Sequence, residues 1–373
     1  MQDFTELAVP GVRQLTPYKP GKPISELQRE LGISEAHKLA SNENPLGPSP
    51  AAVEAMKDVL AGLNRYPDAG GFELKTALSE QLGVERDQLT LGNGSNDVLD
   101  LLGRVFLGPG RAAVYSRHAF AVYALTTQAC GAEARVAEPT GPDSGMPYGH
   151  DLDAMQALID ERTRLVFIAN PNNPTGTWLK RDALEAFLEA VPEDVVVVLD
   201  EAYAEYVEDP EYPDGVAWIE RFPNLVVCRT FSKIHGLAGA RVGYAVSHPQ
   251  VADLLNRVRH PFNVGTLGQA GALAALRDQG HVRRSRELNA AGRAELEEGL
   301  ANLGLPTLPS ATNFVTAEVG EQAASIYQRL LERGYIVRPL EGDGLPHHLR
   351  ISVGTETENR GLLAALGEVL ENA

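Results

Sequence analysis

The sequence predicts an α/β protein: a large unit on a mostly parallel sheet covered by helices, then a smaller α+β unit. Two observations carry this. Apolar, strand-like runs alternate with amphipathic helical stretches through the middle of the chain, the pattern of an open sheet covered on both faces. One of those runs, VVVVLD (195–200), is apolar at every position but the last, as in a strand buried on both sides.

The elements follow in order. The first forty-odd residues are rich in Pro and Gly and read as an extended arm with one short helix, ISELQRELG (24–32). An arm of this length must dock, either on its own domain or on a second subunit. SPAAVEAMKDVLAGL (49–63), GGFELKTALSEQLG (70–83) and SNDVLDLLGRVFL (95–107) have helical periodicity. AAVYS (112–116) reads as a strand, FAVYALTTQAC (120–130) as a helix, and LVFIANP (165–171) as a strand running into a Pro/Asn loop. KRDALEAFLEAV (180–191) is a helix, and LVVCRTFSK (225–233) and VGYAVS (242–247) are two further strands. After about Gly265 one long helical stretch (268–304) precedes the short strands NFVTAEV, YIVRPL and HLRISVG, with a helix at 322–334 between them and another closing the chain. The expected division is therefore an arm over 1–45, a large unit over 46–265 and a small unit over 266–373.

Composition narrows the function. The chain has 373 residues, 43% hydrophobic and 22% charged, as expected for a globular protein. Its 50 acidic against 33 basic side chains give a net charge of −17, which disfavours nucleic acid and anionic membrane as partners. Two cysteines without close spacing exclude a disulfide scaffold. The N-terminus does not read as a signal peptide, and no apolar run approaches membrane-spanning length, so a cytoplasmic location is expected. Phosphate-loop, dinucleotide, zinc-protease and serine-hydrolase motifs are absent, and the adjacent His347 and His348 read as loop residues rather than metal ligands.

What remains is a set of polar residues at strand ends, where open α/β sheets bind ligands. Asp200 ends VVVVLD, and Tyr203 follows it. Asn173 lies in NPNNPTG, and Lys233 lies in TFSKIHGLAGAR. A buried carboxylate needs a cationic or strong-donor partner. Ser232 and Arg241 around the lysine suggest an anion grip. LGNGSND (91–97) opens a helix whose free N–H groups attract an anion, with Ser95 or Asn96 as its cap. Taken singly, each residue reads equally well as a cap, turn or solvated charge. Together they match pyridoxal phosphate, which offers an aldehyde, a ring nitrogen, a phenolic oxygen and a phosphate.

The segments NPNNPTG, VVLDEAY and FSK..GLAGARVGY resemble the fold-type-I pyridoxal-phosphate aminotransferases of class I and II. With LASNENPLGPSP, NRYPD, GNGSND, IVRPL and LRISVGT they resemble, within that class, the histidinol-phosphate aminotransferases, from about Leu39 to Thr355. The resemblance implies that Lys233 holds the cofactor as a Schiff base and moves the substrate's Cα proton. It implies that Asp200 pairs with the pyridine nitrogen, and that Tyr203 and Asn173 contact the phenolic oxygen. Gly94, Ser95, Asn96, Ser232 and Arg241 bind the phosphate, and Phe120, where relatives carry Tyr, stacks on the ring. Tyr66 reaches that phosphate from the other subunit of a homodimer. Arg350 and Arg338 hold the substrate phosphate, and Tyr18, Asn42 and Phe314 line the pocket. The implied reaction moves the amino group of L-glutamate to imidazole-acetol phosphate, in histidine biosynthesis. The alternatives are an aromatic amino acid aminotransferase of the same fold, a decarboxylase of an amino-acid phosphate, and a pyridoxal-phosphate-binding regulator. The regulator would need a DNA-binding domain for which the chain has no spare length.

Overall fold

The computed structural model describes residues 3–18 and 20–371. Its strands are β1 (His37–Lys38), β2 (Leu89–Gly92), β3 (Ala112–Ser116), β4 (Glu133–Ala137), β5 (Thr163–Ala169), β6 (Val196–Asp200), β7 (Leu225–Thr230), β8 (Gly243–Ser247), β9 (Phe314–Glu318), β10 (Tyr335–Ile336), β11 (Arg338–Pro339) and β12 (His348–Ser352). Seven form one sheet in the order β2-β8-β7-β6-β5-β3-β4. Only β8 runs against its neighbours, β2 and β7; the other pairs are parallel. The sheet is thus mostly parallel, as the sequence predicts. β2 and β4 carry no readable strand signal. β2 has four residues and ends in the Gly-rich turn, and β4 is a largely exposed edge strand.

The run at β6 shows why such a strand is apolar throughout. Successive side chains point to opposite faces. Val197 and Leu199 enter the core on one face, with Phe187 and Trp218. Val196 and Val198 enter the core on the other, with Leu99, Tyr123 and Phe167. The register aligns Ala169 with Asp200 and Asp200 with Cys228, so three strands end at one edge.

A second, three-stranded antiparallel sheet, β11-β12-β9, packs with the helices Gln279–Asn302, Ala323–Glu332 and Glu356–Glu371 around Leu296, Leu330, Ile351 and Leu366. Two features bear on where the units meet. The end of the arm is built into this small unit: β1 pairs with β10, and Leu39 lies in its core. The long helical stretch breaks at Asp278, whose side chain accepts from the His281 N–H at 2.9 Å. The preceding helix, Thr266–Arg277, packs on Pro50–Asp58, and Ala272, Ala275 and Leu276 lie in the large core. We propose on this packing that the passage between the units falls within Gln279–Asn302. Part of the arm docks on its own chain. The turn Pro10–Arg13 meets the end of Val122–Ala129, where a Cβ on Gly11 would fall 2.0 Å from the Gln128 carbonyl oxygen. His348 is not a loop residue: it opens β12 and is buried. No helix among the described residues is long and apolar enough to cross a membrane.

Candidate active site

A cavity of about 480 Å³ opens at the carboxyl edge of the parallel strands. Asp200 forms its floor, 4% exposed at the end of β6. The Tyr123 hydroxyl donates to Asp200 Oδ2 at 2.9 Å, while Oδ1, equally buried, has no hydrogen-bond partner. Burial pushes this carboxyl up to about 6; the Tyr123 hydrogen bond works in the opposite direction.

Lys233 follows β7 and reaches into the same cavity. Its ammonium donates to the Ser41 carbonyl oxygen at 3.1 Å and lies 5.6 Å from the centre of the Tyr203 ring. Desolvation, then the nearby Arg350 charge, lowers it to about 7. A neutral amine, the nucleophilic form, is therefore present in quantity near neutrality.

Tyr203, Asn42, Asn173 and Arg350 form one wall. The Asn42 side-chain amide donates to the Tyr203 hydroxyl at 2.8 Å, and burial lifts that phenol to about 12. Asn42 itself sits at φ 55, held by the Ser352 hydroxyl at 2.8 Å from its backbone N–H. Arg350, 7% exposed in β12, donates to Asn173 Oδ1 and, at 2.7 Å, to the Ala40 carbonyl. Its guanidinium lies 5.2 Å over the Phe314 ring, and its Nε is buried without a partner. Arg338 is its cross-strand neighbour in β11 and lies 5.4 Å over the Tyr18 ring.

At the other end the helix Ser95–Phe106 points its N-terminus at the cavity. Gly94 is its cap residue, and no side chain caps it, so neither Ser95 nor Asn96 takes the expected capping role. The reason is geometric. Gly94 sits at φ 80, where a Cβ would fall 2.3 Å from Arg241 Nη2. A Cβ on Gly243 would fall 2.4 Å from the Ser95 nitrogen. Both glycines let backbone and guanidinium close to contact distance. Arg241, at φ 56, donates to the Ala238 carbonyl at 3.1 Å and lies 3.4 Å from the Ser232 hydroxyl. A helix N-terminus, a hydroxyl and a guanidinium converge on one small volume, a cradle for an anion.

Ser95, Asn96, Phe120, Asn173, Asp200, Tyr203, Ser232, Lys233 and Arg241 thus line one cavity, with Tyr18, Asn42 and Arg350. Gly94 underlies its wall. Phe314 and Arg338 stand behind the lining, against Arg350 and Tyr18. Tyr66 is not brought in: it is 81% exposed and stacks on Phe262 at 4.6 Å. Sequence reasoning missed Tyr123, whose signal was its place one helical turn after Phe120, on the same face. It also missed the Lys38–Glu43 ion pair (2.9 Å) at the cavity wall.

This sheet, with a lysine and an aspartate at adjoining strand ends above an anion cradle, defines a class of transferase. The family model for aminotransferase class I and II matches residues 34–366. "Histidinol-phosphate aminotransferase 2" of Pseudomonas aeruginosa is 56% identical over 372 residues, covering 99% of both chains. "Histidinol-phosphate aminotransferase 1" of Nitrosococcus oceani is 54% identical over 368 residues, covering 99% of this chain and 98% of its own. The crystal structure of histidinol-phosphate aminotransferase from Sinorhizobium meliloti in complex with pyridoxal-5'-phosphate superposes with a TM-score of 0.87, at 31% identity and 97% coverage of both chains. The chain belongs to the class I and II aminotransferase family, in the branch whose members are named histidinol-phosphate aminotransferase.

Proposed function

We propose that the protein moves the amino group of L-glutamate to imidazole-acetol phosphate, giving L-histidinol phosphate and 2-oxoglutarate, as a cytoplasmic step of histidine biosynthesis. The observation that carries the substrate assignment is Arg350 in the cavity with Lys233, backed by its cross-strand neighbour Arg338. Two guanidinium charges suit a dianionic phosphate better than they suit a single carboxylate.

The residues fit pyridoxal phosphate on three counts: the unpartnered oxygen of Asp200, the partly neutral Lys233 and the cradle at Gly94, Ser95, Ser232 and Arg241. When bound, this cofactor supplies an aldehyde that exchanges between amines and a ring that takes up electrons from the substrate. Lys233 anchors it and carries the proton to and from the substrate's Cα. Asp200 holds a proton on the ring nitrogen. Tyr203 and Asn173 hydrogen-bond the phenolic oxygen, Asn96 flanks the cradle, and Phe120 covers a ring face. Arg350 orients the substrate by its anion, with Tyr18 beside it in the lining, Arg338 behind, and Asn42 fixing Tyr203.

The functional unit is a homodimer in this reading. Leu60, Leu63 and Tyr66 are at least half exposed, an apolar surface that a second copy would cover. Tyr66 would then reach the partner's cradle. Mixing inactive Lys233→Ala with Tyr66→Phe subunits tests this: a shared site restores activity in mixed dimers, and independent sites give none beyond the Tyr66→Phe background.

Two further results are expected. Arg241→Ala weakens retention of the cofactor by roughly 10- to 100-fold, the loss of one charge-assisted contact, read by dialysis against buffer and residual absorbance. Capture of pyridoxal phosphate by the apoprotein accelerates as pH rises through about 7, because the neutral Lys233 amine is the reacting form.

The decisive titration follows the visible band of the loaded protein while L-histidinol phosphate, then L-phenylalanine, is added. Response to histidinol phosphate at far lower concentration supports the assignment. Preference for phenylalanine moves the protein to the aromatic aminotransferases.

A further inference from the structure

Tyr123 donates to the cavity floor at Asp200, and the roles above leave it unused. It is fully buried in the helix Val122–Ala129, and its ring lies flat on Phe167 of β5, centroids 4.8 Å apart and planes 5° apart. Phe120, one turn earlier, meets that ring edge-on at 5.9 Å and 90°. The Thr127 hydroxyl donates to the Tyr123 carbonyl at 2.7 Å, tying the next turn to it. The ring therefore has no freedom to turn, and its hydroxyl is delivered to Asp200 Oδ2 at 2.9 Å.

We propose that Tyr123 is the positioning residue of the site: its hydroxyl occupies one oxygen of Asp200, so that the other is presented singly to a protonated ring nitrogen, and its ring sets the angle at which Phe120 covers the cofactor. The proposal rests on the pyridoxal-phosphate reading above. It follows from the geometry of the carboxylate. A carboxylate has two equivalent oxygens and rotates about its Cβ–Cγ bond; a fixed donor on one removes that freedom and leaves one acceptor of defined direction. The phenol also donates to the ionised form of Asp200, which favours it over the acid.

Among the described residues no other side chain replaces this donor; the Ala202 backbone N–H also favours the ionised form of Asp200, but less than Tyr123 does. From β7, Cys228 lies in register beside Asp200 and is a weak donor held protonated by burial. Glu201 and Tyr203 follow Asp200 in its own loop; the Glu201 charge opposes ionisation. Lys233 lies across the cavity and favours ionisation only weakly. On the β5 side, His150 is spent on the Ala169 carbonyl at 2.9 Å. Tyr123 is the strongest hydrogen-bonding influence on Asp200.

The test compares wild type with Tyr123→Phe, which keeps the ring on Phe167 and removes only the hydroxyl. Three results are expected. The dissociation constant for pyridoxal phosphate rises about tenfold, as for loss of one hydrogen bond to a charged group. The acid limb of the kcat–pH profile moves to higher pH. In the apoprotein, infrared titration of the Asp200 carboxylate, identified by its loss in Asp200→Asn, shows a midpoint above that of wild type. A double variant Tyr123→Phe/Asp200→Asn loses no more cofactor affinity than Asp200→Asn alone. A side chain with only a packing role would lower the melting temperature and leave the acid limb and the carboxylate midpoint in place; that result overturns the proposal, as does full additivity in the double variant. Should Tyr123→Phe fold poorly, the carboxylate midpoint of its folded fraction still decides. Failure of the wild-type protein to take up pyridoxal phosphate at all would instead reject the cofactor reading, whatever Tyr123 does.

Discussion

Replacing Lys233 by alanine abolishes transamination, by at least about 10⁴-fold, the span of a general base together with a covalent anchor. The protein stays folded. The same geometry that makes the lysine reactive makes it costly to the fold: its amine is desolvated beside the Arg350 charge and is lowered from 10.5 to about 7. A depressed base binds fewer protons folded than unfolded between pH 7 and 10.5. Stability therefore rises with pH across that window, and the full cost is present below it. The Lys233→Ala apoprotein should accordingly melt at or above the wild-type temperature, with the larger gain below pH 7. Calorimetry at pH 6 and pH 9, beside a transamination assay, checks both halves. Near-normal turnover would remove Lys233 from the mechanism; a collapsed melting curve would make the loss of activity uninformative, and Lys233→Met then keeps the volume.

Asp200→Asn should lose about three orders of magnitude in turnover, because a neutral amide does not hold a proton on a ring nitrogen and the electron sink fails. Its effect on stability has the opposite sign to that of an ion-paired carboxylate, because burial raises this group. The folded carboxyl lies near 6 against an ordinary 3.8. Between those values the folded state binds the extra proton, so stability falls as pH rises through the window and the full penalty, about 3 kcal/mol for a two-unit shift, is present above pH 6. The amide carries no such penalty. The Asn variant's apoprotein should melt above wild type at pH 8, and the gap should close below pH 4. No gap at pH 8 would mean that Asp200 is solvated more fully than its 4% exposure implies.

Much of this site was legible in the sequence because its residues sit where periodicity ends. Asp200 closes an apolar run, Lys233 and Asn173 follow two more, and strand ends of a parallel sheet meet at one edge. The family resemblance then supplied roles that spacing does not. What stayed hidden had physical causes. Tyr123 lies inside an apolar helix face and acts through a hydroxyl whose target is 77 residues away. β4 is an exposed edge strand without alternation. Thr266–Arg277 is Ala- and Gly-rich on every side, so its sequence does not say that it packs into the large core. Ser95 and Asn96 looked like caps because hydroxyl and amide side chains usually are; a glycine took the position because Arg241 fills the space a side chain would need.

The two units divide the labour of the cavity. Lys233, Asp200, Asn173 and Tyr203 hang from the large sheet, rooted in cores packed on both faces. Arg338 and Arg350 ride on a separate three-stranded sheet with its own core. In the roles proposed above, bond-making and substrate choice would thus rest on different pieces of architecture. Selection can reshape the arginine-bearing strands, trading one anion for another, while the machinery that breaks the Cα–H bond is left untouched.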